Sequence, residues 1–244
     1  NDTLDGGAEA DILVGAEDND ILYGGDGDDS ILGSSGDDTI SGDAGNDLLF
    51  GEDDNDALYG GDGADTLDGG NGDDLLQGGS GDDEFIGGAG NDHIYMGSGQ
   101  DTVYAGDGDD SVGASIGSDL VYGGAGNDTI SGGGYSYESD TLYGGDGNDV
   151  LDGNAGDDRL YGDAGDDTLT ISSGADRLEG GDDADTFQVS SVTGAFGGDT
   201  VVGGEGGVDD DTLDLSGLTA PVTVDFRGNE TGTASTDGDS VNFS

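Results

Sequence analysis

Large apolar residues fall at every ninth position of this chain. Over its first half they read Leu4, Leu13, Leu22, Ile31, Ile40, Leu49, Leu58, Leu67, Leu76, Phe85, Ile94, Val103, Val112, Val121 and Ile130. An aspartate stands two residues before each of them, from Asp2 to Asp128, without exception. A unit such as GGDGDDSIL (24–32) defines nine slots: Gly first, usually Gly fourth, Asp sixth, an apolar residue eighth. Such self-similarity at a fixed period marks a repeat architecture. Slots seven to nine read as a short strand, in which neighbours point to opposite faces. The eighth slot then faces inward, and the seventh and ninth face outward. Slots one to six read as a turn. Two units make a coil of 18 residues with a turn on each side. Coils stacked about 4.8 Å apart predict an all-β fold, a flattened right-handed parallel β-roll. About eleven coils would span roughly 50 Å.

The register has two kinds of interruption. After Ser131 the stretch GGGYSYESDTLY carries three extra residues; Asp140 and Leu142 then restore the pattern. Two longer units end in Asp199/Val201 and Asp211/Leu213. Loops are expected at 132–139 and around 189–198. From about Leu215 the period stops: APVTVDF (220–226) alternates, GNETGTASTDG is turn-rich, and SVNF is a short strand. The expected organisation is a roll over 1–214 and a β-hairpin cap over 215–244, because a solenoid needs a covered terminal coil. The chain opens inside a repeat, at the fifth slot, as a piece of a longer array or larger protein would.

Charge changes the picture. The chain has 58 acidic residues, three arginines and no lysine, for a formal net charge of −55. Hydrophobic residues make up 30%, against about 45–50% in ordinary globular domains. That composition alone would suggest disorder. The strict apolar period and the single proline, Pro221, argue for a fold. Three arginines cannot neutralise the acids, so the counter-charge comes from outside. Nucleic acid and anionic membrane are excluded as partners by sign, leaving cations or basic proteins. No apolar run approaches a membrane-spanning length, and no N-terminal signal peptide is visible. With no cysteine, disulfides and thiolate metal sites are absent.

Stacked turns place Asp29 over Asp47, and Asp38 over Asp56, in two rows of like charge. A hard cation between coils would convert that repulsion into cohesion. Ca²⁺ takes six to eight oxygens at about 2.3–2.6 Å; Mg²⁺ demands tight octahedral geometry and keeps its waters. Zinc does not suit a chain with one histidine and no cysteine. The candidate ligands are the sixth-slot carboxylates Asp11, Asp20, Asp29, Asp38, Asp47, Asp56, Asp65, Asp74, Asp83, Asp92, Asp101, Asp110, Asp119, Asp128, Asp140, Asp149, Asp158, Asp167, Asp176 and Asp185. Carboxylates from two coils are expected to be joined by main-chain carbonyls of the Gly-rich turns, such as Gly24, Gly42, Gly60, Gly69, Gly78 and Gly87. Up to about 20 ions would bring the net charge to a tolerable surface value.

The units GGSGDDEFI (78–86) and GGAGNDHIY (87–95) resemble the nonapeptide GGxGxDxUx of the repeats-in-toxin (RTX) family, with U large and apolar. The resemblance covers about 1–214. It implies a calcium-binding parallel β-roll of a secreted bacterial protein, exported by type I secretion and folded outside the cell. Extracellular calcium modules bind at about 10⁻⁴–10⁻³ M, which suits that switch. Three functions follow: a non-enzymatic calcium-binding β-roll; a structural or adhesive rod, surface-layer or filament subunit with self-association; and the C-terminal secretion and folding module of an exoenzyme or toxin.

Other features read as secondary. Asp26 and Asp28, in the third and fifth slots, are expected to be solvated charge; Asn46, Asn91, Asn127 and Asn148 imply that the fifth slot needs polarity rather than charge. Asp18, Asp54 and Asp183 replace the fourth-slot glycine, and Met96, Ala105 and Ala114 the first, which marks these units as degenerate and weaker in ion binding. With one residue in nine inward the core is thin, and the cation-free chain is expected to be an expanded polyanion. GASIG (113–117) matches a hydrolase motif around Ser115, but lacks its strand–turn–helix setting. His93 reads as a solvated strand residue. The ninth-slot tyrosines Tyr104 and Tyr122 should stack, by cross-strand packing or as a contact surface for a carbohydrate or protein.

Overall fold

The computed structural model describes residues 1–113, 116–133, 138–189, 199–204, 211–214, 233–236 and 239–242. Among them every regular element is a β-strand. Through Thr212–Asp214, successive strands alternate between two sheets, one of 14 and one of 11 strands. Each strand through Thr212–Asp214 pairs in parallel with the strand two before it in the chain, and register follows the nonapeptide: Leu22 opposite Ile40, Leu49 opposite Leu67, Phe85 opposite Val103. The 18-residue parallel β-roll is therefore observed.

The strands differ from expectation in length. Most run six residues, such as Ile21–Asp26 and Leu48–Asp53. They occupy slots seven to nine and then one to three, so the turn shrinks to slots four to six. The in–out alternation of a strand continues through the glycines: in Ile21–Asp26 both Leu22 and Gly24 are buried. Pairing steps over the first slot, from Tyr23↔Ser41 to Gly25↔Asp43. The first slot therefore faces inward as well, which corrects a core of one residue in nine. Met96, Ala105 and Ile171 occupy it and join the core. The remaining core is a file of eighth-slot side chains between the sheets. Where the first slot is glycine, a large side chain can use the space: Phe85 Cζ lies 2.6 Å from where a Cβ on Gly78 would stand.

Left-handed backbone belongs to the second and fourth slots. Gly25 and Gly27 have φ of 109° and 130°, and non-glycine residues adopt the same region there, such as Asp43 at 72° and Asp54 at 76°. Turn amides bond between coils too, as in Gly27 N–H to the Ala44 carbonyl at 2.7 Å and Thr39 N–H to the Asp20 carbonyl at 2.9 Å.

The register survives its interruptions, since Leu142 pairs with Val121 and Leu213 with Phe187. The core of the inserted stretches (134–137 and 190–198), Ser115 and the 220–226 segment lie outside the described residues. Beyond Thr212–Asp214, Thr233–Thr236 adds to the same sheet in parallel, and Asp239–Asn242 pairs antiparallel to it. The first of these strands lies in a stretch whose composition reads as turn.

Candidate metal centres along the two edges

Each edge of the roll carries one row of sixth-slot aspartates. One row contains Asp11, Asp29, Asp47, Asp65, Asp83, Asp101, Asp119, Asp140, Asp158 and Asp176; the other contains Asp20, Asp38, Asp56, Asp74, Asp92, Asp110, Asp128, Asp149, Asp167 and Asp185. We call them the Asp29 row and the Asp38 row. All but Asp11 are buried. Each carboxylate after Asp11 uses Oδ1 to accept the main-chain N–H of the aspartate one coil earlier: Asp11 N–H to Asp29 at 2.8 Å, Asp29 N–H to Asp47 at 2.8 Å, Asp38 N–H to Asp56 at 2.8 Å. The ladder crosses the insertions unbroken, with Asp119 N–H to Asp140 at 2.9 Å. It also reaches residues outside the candidate ligand set: Asp2 donates to Asp20, Asp199 accepts from Asp176, and Asp211 accepts from Asp185.

The second oxygen has a different fate. In 17 of these carboxylates, Asp29, Asp56, Asp92 and Asp128 among them, Oδ2 is buried with no hydrogen-bond partner. A buried, unpaired carboxylate oxygen is costly. Where the first slot is glycine, the neighbour of Oδ2 is that glycine. A Cβ on Gly6 would stand 2.8 Å from Asp11 Oδ2 and 2.7 Å from the Gly24 carbonyl oxygen. On Gly15 it would stand 2.6 Å from Asp20 Oδ2 and 2.9 Å from the Gly33 carbonyl oxygen. Each glycine thus leaves a cradle lined by a carboxylate oxygen of its own coil and a first-slot carbonyl of the next. The carbonyls of Gly24, Gly42, Gly60, Gly69, Gly78 and Gly87 all face such cradles, below Gly6, Gly24, Gly42, Gly51, Gly60 and Gly69 respectively.

Burial dominates the proton affinity of these groups. It pushes Asp56, Asp110 and Asp167 in one row, and Asp83, Asp140 and Asp158 in the other, up to about 7. Asp47, Asp92, Asp101 and Asp149 rise to about 6. The donated N–H opposes the rise, and like charge one coil away adds to it. Burial likewise raises Asp38, Asp65, Asp74, Asp119, Asp128 and Asp176.

The donor set is oxygen only, with an unpaired, buried carboxylate oxygen in most units. No group of three or more acidic or histidine side chains converges among the described residues. Main-chain carbonyls therefore have to complete any coordination shell. That suits a hard, flexible cation such as Ca²⁺, and does not suit zinc.

The fifth slot has a part that composition alone does not reveal. Asp28 is exposed, yet its Oδ1 accepts the Asn46 N–H of the next coil at 2.9 Å, and Asn46 Oδ1 accepts from Ala64 at 2.8 Å. Asp and Asn are interchangeable there because either supplies the acceptor. The frequent Asn was the available signal. Asp26 and His93 are exposed. Four tyrosines, Tyr104, Tyr122, Tyr143 and Tyr161, stack with ring centroids 5.3, 4.9 and 4.7 Å apart. The rings cover one another's faces, which is cross-strand packing and leaves edges rather than faces for a sugar.

Fold and edge chemistry together define a cation-binding parallel β-roll. The RTX calcium-binding nonapeptide repeat (4 copies) matches residues 1–31, 32–67, 68–103, 97–119, 104–134, 136–169 and 171–188. The chain belongs to that family, and its cation is Ca²⁺. A search of curated proteins gave no match.

Proposed function

We propose that the chain is a non-enzymatic calcium-binding module of a secreted bacterial protein, folding on calcium outside the cell. The observation that carries this is the repeated pairing of an unpaired, buried Asp Oδ2 with a first-slot carbonyl along both edges. The sixth-slot aspartates from Asp11 to Asp185 would hold the ions with carbonyls such as those of Gly24, Gly42 and Gly60. Up to about 20 ions would be bound. Bound calcium supplies positive charge between coils that otherwise repel. The chain's own part is to place one carboxylate oxygen per unit, held by an N–H at its other oxygen, and to leave space beside it. The roll would comprise 1–214 and a β cap 215–244.

A second role as a structural rod is supported by exposed apolar side chains on the first coils, namely Ile12, Val14, Ile21 and Tyr23, which suit association with another surface. Small-angle scattering tests the main proposal. In millimolar calcium a rod with radius of gyration about 20 Å is expected, and in chelator about 54 Å or more. A compact chain in chelator at neutral pH would overturn it.

A further inference from the structure

Among the described residues, ten non-glycine residues with left-handed backbone all occupy the second or fourth slot. Those slots favour glycine for conformation and still accept Glu, Ala, Ser, Asp and Asn. The first slot is different. Its glycines, such as Gly24, Gly60 and Gly144, have φ outside the left-handed region. Conformation does not require glycine there; space does. Any Cβ would stand inside the oxygen-lined cradle, at the distances given for Gly6 and Gly15.

Three described regular units put a carbon there, and Val189, paired with Ile171, does so at the head of an inserted unit. Met96 and Ala105 are wholly buried, and Ile171 nearly so. In the Ile171 unit the carboxylate has also found another partner: Asp176 Oδ2 accepts the Ser172 N–H at 3.3 Å. The carboxylates of the other two units, Asp101 and Asp110, keep an unpaired Oδ2. An aliphatic carbon in the cradle offers no donor and takes the place of an ion that needs six to eight oxygens.

We propose that the first slot is the occupancy gate of each centre: a unit with glycine there holds an ion, and the units of Met96, Ala105 and Ile171 hold none. This rests on the calcium function above and adds which units carry it. The ion row on the Asp29 edge is then interrupted at Asp101 and Asp176, and that on the Asp38 edge at Asp110. In return, Met96 and Ile171 add side chains to the core that glycine units lack.

Native mass spectrometry of the calcium-loaded full chain reads the ion count directly. Ala105→Gly and Met96→Gly are each expected to raise it by one. Gly60→Ala and Gly144→Ala, at positions whose φ alanine accepts, are each expected to lower it by one. Met96→Leu should leave it unchanged. Far-UV circular dichroism checks that each variant folds; if Met96→Gly does not, Ala105→Gly, which removes one methyl group, decides. A chain that binds many ions with counts unmoved by these variants overturns the gate alone. A chain that binds no calcium overturns the gate and the proposed function together.

Discussion

The two edges of the roll are built from one repeat, yet differ in regularity. Along the Asp38 edge the fifth slot is Asx from Asn1 to Asp166, and only Ala184 departs from it. Asp37, Asn55, Asp73, Asn91, Asp109, Asn127, Asn148 and Asp166 each accept the N–H of the next fifth-slot residue. Along the Asp29 edge Ala10, Ala64, Gln100, Ser118, Ser139 and Ala175 break the series. The strands leading into the Asp29 edge shorten to Ser111–Gly113, Thr129–Ser131 and Val150–Asp152. Those leading into the Asp38 edge keep six residues, as in Leu120–Ala125, Thr141–Asp146 and Arg159–Ala164. The Asp29 edge also takes the insertion after Ser131.

The inner ladder ignores these differences. Sixth-slot N–H to Oδ1 bonds span 18 residues in regular coils, 21 across the first insertion, and 23 or 26 near the end, with lengths of 2.8, 2.9, 3.0 and 3.0 Å. The bond needs only that one aspartate sit over another, whatever loop lies between. The invariant part of the repeat is therefore the buried carboxylate. The outer turn is the part that accepts loops.

The largest expected effect concerns protons and should strike both edges alike. Folded carboxylates that titrate near 7 titrate near 4 when unfolded. Between those values the folded chain holds more protons, so lowering pH favours folding without calcium. The penalty is absent below about pH 4 and complete above about pH 7. In chelator, circular dichroism should gain β signal from pH 7.5 to pH 5; a flat or opposite response would contradict the burial of these groups. With calcium present the trend reverses, because protons compete for the same oxygens.

Next come substitutions in the inner ladder. Asp92→Ala removes the acceptor of the Asp74 N–H, and Asp83→Ala that of the Asp65 N–H. Each leaves a buried donor unpaired, at about 1–3 kcal/mol, and removes an ion ligand. Melts in calcium should fall by about 5 °C or more, equally for the two edges. Unequal losses would show that the outer turns matter more than the ladder suggests.

The smallest effects distinguish the edges. Asn91→Ala cuts the continuous outer ladder at the Asp109 N–H and should cost about 0.5–1.5 kcal/mol. Ala64→Asn on the Asp29 edge supplies an acceptor for the Asp82 N–H and should stabilise by a similar or smaller amount. Urea midpoints measure both; a destabilising Ala64→Asn would show that the acceptor geometry is peculiar to the Asp38 edge.

Much of this was legible in the chain. The eighth-slot aliphatics and sixth-slot aspartates fixed the coil length, the sheet pairing and the two carboxylate rows, because both signals recur without a gap. The six-residue strands were hidden, since Gly24 or Gly42 carries no side chain to show that its slot faces inward. Met96, Ala105, Ile171 and Val189 betray that direction, and Met96 and Ala105 read as defects. The fifth-slot ladder was half visible: Asn46 and Asn91 showed a need for polarity, while the N–H each serves lies 18 residues ahead and appears only once coils are stacked. Loop conformation at 132–139 has no periodic signal to read.

The most direct test of the central claim, that external calcium neutralises buried carboxylates and so folds the roll, is far-UV circular dichroism during a titration from chelator to about 10 mM Ca²⁺ at pH 7.5, with Mg²⁺ in parallel. A cooperative gain of β signal with calcium alone is expected. No change, or an equal gain with magnesium, would contradict it.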